Sequence, residues 1–146
     1  MITPTNSGFL TTRDWHRAFV GGKDLILRHT SALEHLQLFS GYANGNQIEV
    51  YATSSGEHEN VYYQIVETFD AIEYIQIGNV LCTSVNQTVN DMLSVLDSVD
   101  EQPLVEGLGR YYYINGQSFN GLVILPENAG WFNRIKDWAV EYYDEV

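Results

Sequence analysis

The stretch from residue 83 to residue 115 constrains the fold most, because its pattern predicts two consecutive helices that need a surface to pack on. Ser84 is suited to cap the first helix, and Gln87 stands three residues later, where a capping box has Glu or Gln. Apolar residues then recur at helical spacing and predict one inward-facing stripe. That stripe consists of Val85, Val89, Met92, Leu96 and Val99. Pro103 suits the first turn of the second helix.

The segments before this helix pair predict a small sheet. Residues 47–53 alternate between apolar and polar, and residues 61–69 are rich in tyrosine and β-branched side chains, as strands are. Gly78-Asn79 separates two short apolar runs and predicts a two-residue hairpin turn. We therefore expect an α+β fold, with a small, mostly antiparallel sheet packed against about four helices.

The chain of 146 residues fits one domain, which we place at residues 25–146, behind a polar N-terminal arm at residues 1–24. Within the arm, residues 13–20 predict one short helical turn. Thr30 or Ser31 is expected to cap the next helix, with Gly41 ending it and Asn44-Gly45 forming a turn.

The C-terminal part predicts one more strand and one more helix. Residues 118–125 form an apolar run that ends at Pro126, which favours a strand. Asn128 is placed to cap the last helix, along which large side chains recur at helical spacing. The stripe that they form consists of Trp131, Ile135, Trp138 and Tyr142.

The charge distribution is the most unusual bulk property. The net charge is −12, and no Lys or Arg lies between Arg28 and Arg110, where twelve carboxylates fall. Nucleic-acid affinity depends on cations that neutralise phosphates, so we expect no direct nucleic-acid binding. Two explanations stay open: the charge serves solubility alone, or it forms an acidic docking face for a basic partner.

Bulk features also predict the compartment. No apolar run approaches the roughly 20 residues that span a bilayer, and the N-terminus lacks the features of a signal peptide, so we expect no membrane association. The single cysteine, Cys82, excludes an internal disulfide and fits a reducing cytoplasm. We expect its side chain to be buried and to fill space in the core.

Motifs of known chemistry do not occur in the sequence. The four histidines lack metal-ligand spacing, no Gly-rich loop joins a strand to a helix, and no G-x-S-x-G elbow is present. We therefore expect no metal, no cofactor and no catalytic residue. An enzyme with an unrecognised acidic site stays open as an alternative, and its candidate residues are Glu57, Glu59, Asp97 and Asp100.

Consecutive tyrosines suggest an interaction surface. Tyr111, Tyr112 and Tyr113 fan through about 200° on a helix, so we expect at least one at the surface, with Arg110 beside it for stacking or pairing. The acids Glu57 and Glu59 of a polar loop are further surface candidates. An aromatic-lined pocket for a small molecule or regulator is the alternative use of these rings.

Three segments, in this order, resemble a known family. They are the helix TSALEHLQL at residues 30–38, the segment with Thr83-Ser84, Thr88 and Asp91-Met92-Leu93 that follows hairpin strands, and the helix with Glu106-Gly107-Leu108 and Tyr111-Tyr112. The order resembles the C-terminal domain of AbiEi-type antitoxins, which belong to abortive-infection, type IV toxin–antitoxin systems.

The resemblance implies a non-enzymatic antitoxin that counteracts a nucleotidyltransferase-like toxin in phage defence. The family motif matches this chain at Thr88 and Asp91. The resemblance implies that these two residues stabilise the start of a helix, with Asp91 holding a neighbouring backbone group. The chain departs from the family at Asn86-Gln87, where members often have Glu-Arg, and at Gly107, where they have Ala. We also expect the family's N-terminal winged helix-turn-helix, and with it DNA binding, to be absent.

Overall fold

The computed structural model describes residues 11–40 and 47–144, and over these residues it confirms the α+β class with five α-helices and a five-stranded sheet. The strands are β1 (Ile26–Leu27), β2 (Ile48–Ala52), β3 (Val61–Ile65), β4 (Tyr74–Ile77) and β5 (Val80–Thr83). The helices are α1 (Thr12–Val20), α2 (His29–His35), α3 (Val85–Ser94), α4 (Gln102–Ile114) and α5 (Ala129–Asp144), with a 3₁₀ turn at Pro126–Asn128. No helix in this part of the chain has the length and apolar character needed to cross a bilayer.

The sheet is mixed and not mostly antiparallel as predicted. Its strand order is β3-β2-β1-β5-β4, with β1–β2 and β4–β5 antiparallel and β1–β5 and β2–β3 parallel. The central strand β1 and its neighbour β5 each run directly into a helix, and those helices, α2 and α3, pack against each other. Strands that lead into neighbouring helices on one side must point the same way, which makes this pairing parallel.

The hairpin forms as predicted, and the helix pair forms with a shorter first helix, because α3 ends at Ser94 and the stripe residues Leu96 and Val99 lie beyond it. Ile77 pairs with Val80 across Gly78-Asn79, and the Ser84 hydroxyl caps α3 by accepting from the Gln87 amide at 3.1 Å. The Gln87 side chain does not close the capping box, because its Oε1 accepts from the Glu73 amide at 2.9 Å. Pro103 lies in the first turn of α4.

Two apolar clusters fill the interior, and α2 lies between them. The helical core consists of Leu33, Leu38, Val89, Met92, Leu93, Leu96, Leu104, Val105, Leu108, Ile135 and Ala139. The sheet core consists of Val20, Leu27, Ala32, Ile48, Val50, Val61, Val80 and Cys82. Because Ala32 and Leu33 are neighbours on α2, this short helix joins both clusters.

The predicted start of α2 is wrong. The helix begins at His29, after Arg28, and neither Thr30 nor Ser31 caps it. The Ser31 hydroxyl instead accepts from the Glu49 amide at 3.0 Å, so it binds β2 to the helix. The left-handed residue after the helix is Gln37, while Gly41 and Asn44-Gly45 lie outside the described residues.

The segment predicted as a strand at residues 118–125 is not a strand. Its backbone is held by side chains of α3: the Asn90 amide donates to the Val123 carbonyl at 2.8 Å, and its oxygen accepts from the Leu125 amide at 2.9 Å. The Asn86 oxygen accepts from the Val123 amide at 2.9 Å. These asparagines take the place of a neighbouring strand. Asn128, the predicted cap of α5, is buried just before this helix, and its amide donates to Asn90 Oδ1 at 3.0 Å.

The last helix buries a face that is rotated from the predicted aromatic stripe. Ile135 and Ala139 are buried, whereas Trp138 is 39% exposed. The side chain of Tyr142 lies outside the description. The aromatic residues near the helix start, Trp131 and Phe132, pack at the margin of the helical core.

The polar arm predicted at residues 1–24 is in part a docked helix. Thr11 and Asp14 form a capping box at the start of α1, and Val20 is fully buried in the sheet core. His16 is 1% exposed, and its Nδ1 lies 2.8 Å from Nδ1 of His35, which is equally buried. Residues 1–10 lie outside the described part.

The paired imidazoles are neutral, with opposite roles at Nδ1. One ring must donate and the other accept, since two Nδ1–H groups cannot share one hydrogen bond. Burial, then the neighbouring His35 and the Arg13 and Arg17 guanidiniums, lower the pKa of His16 to about 3. Burial and the same two arginines lower the pKa of His35 to about 4.

We predict that this pair makes the fold sensitive to acid. An unfolded chain takes up protons on both rings near pH 6.5, whereas the folded chain resists them down to about pH 3 to 4. Stability should therefore fall as the pH drops from 6.5 towards 4. Urea unfolding followed at several pH values measures this loss. A His16→Leu/His35→Leu variant should flatten the profile, whereas His58→Gln, at an exposed loop histidine, should not.

We also predict that the hydrogen bonds of the Asn90 side chain do much to hold residues 121–125 against α3. Asn90→Leu removes its amide and leaves the Leu125 amide and the Val123 carbonyl without their partners, which should lower the free energy of unfolding by about 2–4 kcal/mol. Asn90→Asp keeps the acceptor and should cost less. Asn133→Ala, at an exposed position of α5, is the matched control and should change stability by less than about 0.5 kcal/mol. Equal urea midpoints for all these variants would refute the role of Asn90.

Candidate functional site

Thr88, the first position carried over from the resemblance, fastens the start of α3 to the end of β5. Its buried hydroxyl lies 2.6 Å from the Thr83 hydroxyl and donates to the Ser84 carbonyl at 2.6 Å. The contact spans the strand-to-helix junction. Thr88 thus has the contacts expected of a residue that stabilises the helix entry.

Asp91, the second position, joins α3 to β2 through a tyrosine. Its Oδ2 accepts from the Tyr51 hydroxyl at 2.7 Å, and its Oδ1 accepts from Gln87 Nε2 at 2.9 Å. Burial and the Asp91 hydrogen bond raise the pKa of Tyr51 to about 12, so the phenol remains a donor. The Arg28 guanidinium lies 4.7 Å from the centre of the Tyr51 ring. Asp91 thus holds a side chain, not the backbone group that we expected.

The tyrosine ladder and Arg110 make contacts within the fold. All three tyrosines are half-buried. Tyr111 donates to the Asn120 carbonyl at 2.6 Å, the Tyr112 ring stacks near Phe119, and Tyr113 donates to a carbonyl of α5 at 3.4 Å. Arg110 donates to a carbonyl that follows α2. Their use as an interaction surface stays a prediction, since their polar ends already serve the fold.

The acids of the polar loop point to solvent. Glu57 and Glu59 are exposed in the connection between β2 and β3, and neither lines the cleft described next. Asp97 is exposed in the turn after α3. Of the four acids that sequence reasoning named for an enzymatic site, Asp100 alone lines a cleft.

A cleft of about 620 Å³ opens between α2, the sheet and the connection from α3 to α4. We call it the acidic cleft. Its carboxylates come from Glu34, Glu49, Asp100 and Glu106. Its apolar and aromatic walls are Phe39, Tyr62, Met92, Val99 and Pro103. No lysine or arginine occurs among the described residues that line it.

His29 forms part of the cleft lining in an unusual conformation. It is 6% exposed and has a φ of 51°, a left-handed value that is uncommon outside glycine and recurs at functional sites. Its Nε2 lies 2.9 Å from Arg28 Nη2, and because an arginine only donates, Nε2 is the acceptor. Nδ1 therefore carries the hydrogen. It lies 3.7 Å from Glu49 Oε1, too far for a hydrogen bond.

Glu34 is the carboxylate with the most perturbed environment. Burial, followed by repulsion from Glu49, raises its pKa to about 7. Glu34 also borders a shallower depression that contains Arg13 and Arg110. Both arginines are engaged elsewhere: Arg13 donates to the His35 carbonyl at 2.7 and 2.9 Å, and Arg110 donates to the Gln37 carbonyl at 3.2 Å. Within the described residues, neither forms an ion pair with Glu34.

Among residues 11–40 and 47–144, no three His, Cys, Asp or Glu side chains stand in an arrangement that could hold a metal ion. Cys82 is buried, and burial raises the pKa of its thiol to about 12. A thiol held in that state is a poor nucleophile. What this arrangement offers chemically is a set of carboxylates around an open volume.

Comparisons with protein-family models and with curated proteins find no match for this chain.

Sequence reasoning missed the acidic cleft, though one of its signals was visible. Glu34 and Glu49 lie in the long segment without Lys or Arg, and nothing in the sequence indicates that they share a cleft. The cleft forms because β2 brings Glu49 beside α2, and α4 brings Glu106 to the same opening. Those contacts join residues far apart in the chain, so local periodicity carries no sign of them.

We predict that Glu34 destabilises the fold at alkaline pH. An unfolded glutamate ionises near pH 4.5, whereas Glu34 in the folded chain ionises near pH 7. Between these values the folded chain holds a proton that the unfolded chain has lost, so stability falls as the pH rises from 4.5 to 7. Glu34→Gln should therefore stabilise the protein at pH 8, by on the order of 1 kcal/mol after allowance for solvent screening.

Thermal unfolding at pH 8 and pH 4.5 measures this effect. The gain from Glu34→Gln should be present at pH 8 and absent at pH 4.5. Glu57→Gln removes the same charge from an exposed loop and should leave the melting temperature nearly unchanged at both pH values. A destabilised Glu34→Gln at pH 8 would show that the carboxylate has a favourable partner.

Proposed function

We propose that this chain is a non-enzymatic, cytoplasmic interaction domain that counteracts a nucleotidyltransferase-like toxin in phage defence, as the resemblance to AbiEi-type antitoxins implies. The observation that supports it best is the acidic cleft, whose described lining has four carboxylates and no lysine or arginine. The cleft lies in the part of the chain that carries twelve carboxylates and no cation.

Charge complementarity gives this proposal its mechanism. An enzyme that handles nucleotide phosphates presents lysines and arginines to them, because charge-assisted hydrogen bonds hold phosphate oxygens. A domain with a net charge of −12 is attracted to such a surface and approaches it faster than a neutral one would. Occupation of that surface would keep the toxin from its substrate.

The same charges argue against nucleic acid as the partner. Phosphate-backbone binding requires free cations, and two of the seven cationic side chains, Arg13 and Arg110, donate to backbone carbonyls around the end of α2. Arg17 forms an ion pair with Asp14 on its own helix. These three cations therefore serve the fold.

A small-molecule site is the second candidate, and the size of the acidic cleft favours it. Its volume of about 620 Å³ lies within the usual range for ligand pockets. Its aromatic wall, however, consists of Phe39 and Tyr62, not of the tyrosine ladder and the tryptophans that the sequence suggested. A ligand here would be a cation, since four carboxylates line the volume.

Co-expression with a nucleotidyltransferase-like toxin tests the proposal. The full chain should relieve the growth arrest that the toxin causes. A Glu34→Gln/Glu49→Gln variant should relieve it less, because it removes two charges from the acidic cleft. Glu127→Gln/Glu141→Gln, which removes two exposed charges elsewhere, is the matched control and should protect like the unmodified chain.

Persistent arrest in cells that contain the folded chain would refute the antitoxin role. Full protection by Glu34→Gln/Glu49→Gln would keep the antitoxin role but move the contact away from the acidic cleft. A third variant, Glu57→Gln/Glu59→Gln, then tests the exposed loop.

A further inference from the structure

We propose that the acidic cleft takes one arginine side chain of the protein partner, with the guanidinium between Glu34 and Glu49 and the aliphatic part along the apolar wall. This assignment rests on the proposed function, and it adds the chemistry by which the partner is recognised. It is drawn from three features of the cleft: its carboxylates, its walls, and an unused donor on His29.

The carboxylates specify a cation. Glu34 lacks a hydrogen-bond donor among the described residues, and the charged group that raises its pKa is another acid of the acidic cleft, Glu49. A guanidinium binds carboxylates through a planar fork of N–H groups and is weakly hydrated, so it enters a half-buried site at lower cost than an ammonium. An arginine would thus supply the partner that Glu34 and Glu49 lack.

The walls specify a cation on an aliphatic stem. Met92, Val99 and Pro103 give the acidic cleft an apolar side, against which the methylene groups of a long basic side chain can pack. Tyr62 stands at the same opening with 57% of its surface exposed. An aromatic face beside carboxylates suits a guanidinium, which stacks on rings as well as pairing with acids.

His29 favours a cation that belongs to a peptide. Its Nδ1–H makes no hydrogen bond among the described residues, and the carboxylate oxygen beside it, Glu49 Oε1, lies 3.7 Å away. A polyamine or a metal ion offers no acceptor to this donor. An arginine residue of a partner offers its backbone carbonyl together with its cation, so one residue can satisfy both His29 and the two glutamates.

Binding should be linked to ionisation of Glu34. Titratable and charged groups line both depressions that Glu34 borders. In the acidic cleft they are Glu49 from β2, Glu106 from α4, His29 from the same helix and Asp100 from the loop. In the shallower depression they are Arg13 and Arg110. Because burial and Glu49 raise the pKa of Glu34 to about 7, a cation and a proton compete for its carboxylate. Affinity for the guanidinium should therefore rise between pH 6 and pH 8.

Blocked amino acids test the assignment without the partner. Nα-acetyl-arginine methylamide is titrated into the full chain at pH 8, and the backbone amides are followed by NMR. The matched control ligand is its uncharged isostere, Nα-acetyl-citrulline methylamide. The arginine compound should shift the amides of Ser31, Glu34 and Glu49, and the citrulline compound should not. Glu34→Gln/Glu49→Gln should weaken binding about fivefold or more, the size expected for two partly screened ion pairs.

Two further variants keep the test decisive. Glu127→Gln/Glu141→Gln should bind like the unmodified chain, and Tyr62→Ala, at an exposed position that tolerates truncation, should weaken binding if the double cleft variant does not fold. Any of three results would overturn the assignment. They are equal responses to the arginine and citrulline compounds, amide shifts confined to other surfaces, and tighter binding of spermidine than of the arginine compound.

The result of the arginine-binding test can be told apart from the result of the toxin test. Relief of toxin arrest without arginine binding would refute the arginine site and leave the antitoxin role intact. Arginine binding without relief of arrest would refute the toxin as the partner and leave a site for a basic side chain.

Discussion

The fold depends on a short helix that is buried on most of its sides. Five of the seven residues of α2 are buried, and a helix of this length is not stable by itself in water. Its last carbonyls would lack partners in the interior. Arg13 from α1 and Arg110 from α4 donate to the carbonyls of His35 and Gln37, so two cations close the C-terminal end, where the helix dipole is negative. Elements from both ends of the chain are thereby fastened to α2.

This use of arginines shapes the surface beside α2. The two guanidiniums face backbone carbonyls at one end of the helix, and Glu34 on the same helix opens into the acidic cleft without an ion pair among the described residues. The charge of Glu34 is thus left uncompensated by the very cations that lie nearest to it along the fold. A partner that brings its own cation would supply what the fold does not. The proposed arginine site rests on this division of charge.

Features with a local cause could be predicted from the sequence, and features with a distant cause could not. The cap at Ser84 and the turn at Gly78-Asn79 depend on a few adjacent residues, and both form as expected. The parallel pairing of β1 with β5, the hydrogen bond between His16 and His35, and the acidic cleft each join segments far apart in the chain. The strand predicted at residues 118–125 does not form, and the sequence could not show this because an apolar extended run looks the same whether a strand or the Asn90 side chain holds its backbone.

The positions where this chain departs from the antitoxin pattern are tied to its own packing. At Gly107, an added Cβ would lie 3.3 Å from a methyl group of Leu33, so the alanine of the family would press on α2. Asn86 holds the backbone of residues 121–123, and Gln87 binds both Glu73 and Asp91. A Glu-Arg pair at these two positions could not accept from the Val123 amide and donate to the Gly121 carbonyl as the asparagine does. The departures at Asn86 and Gln87 therefore belong with the contacts that α3 makes, and the departure at Gly107 belongs with the packing of α4 on α2.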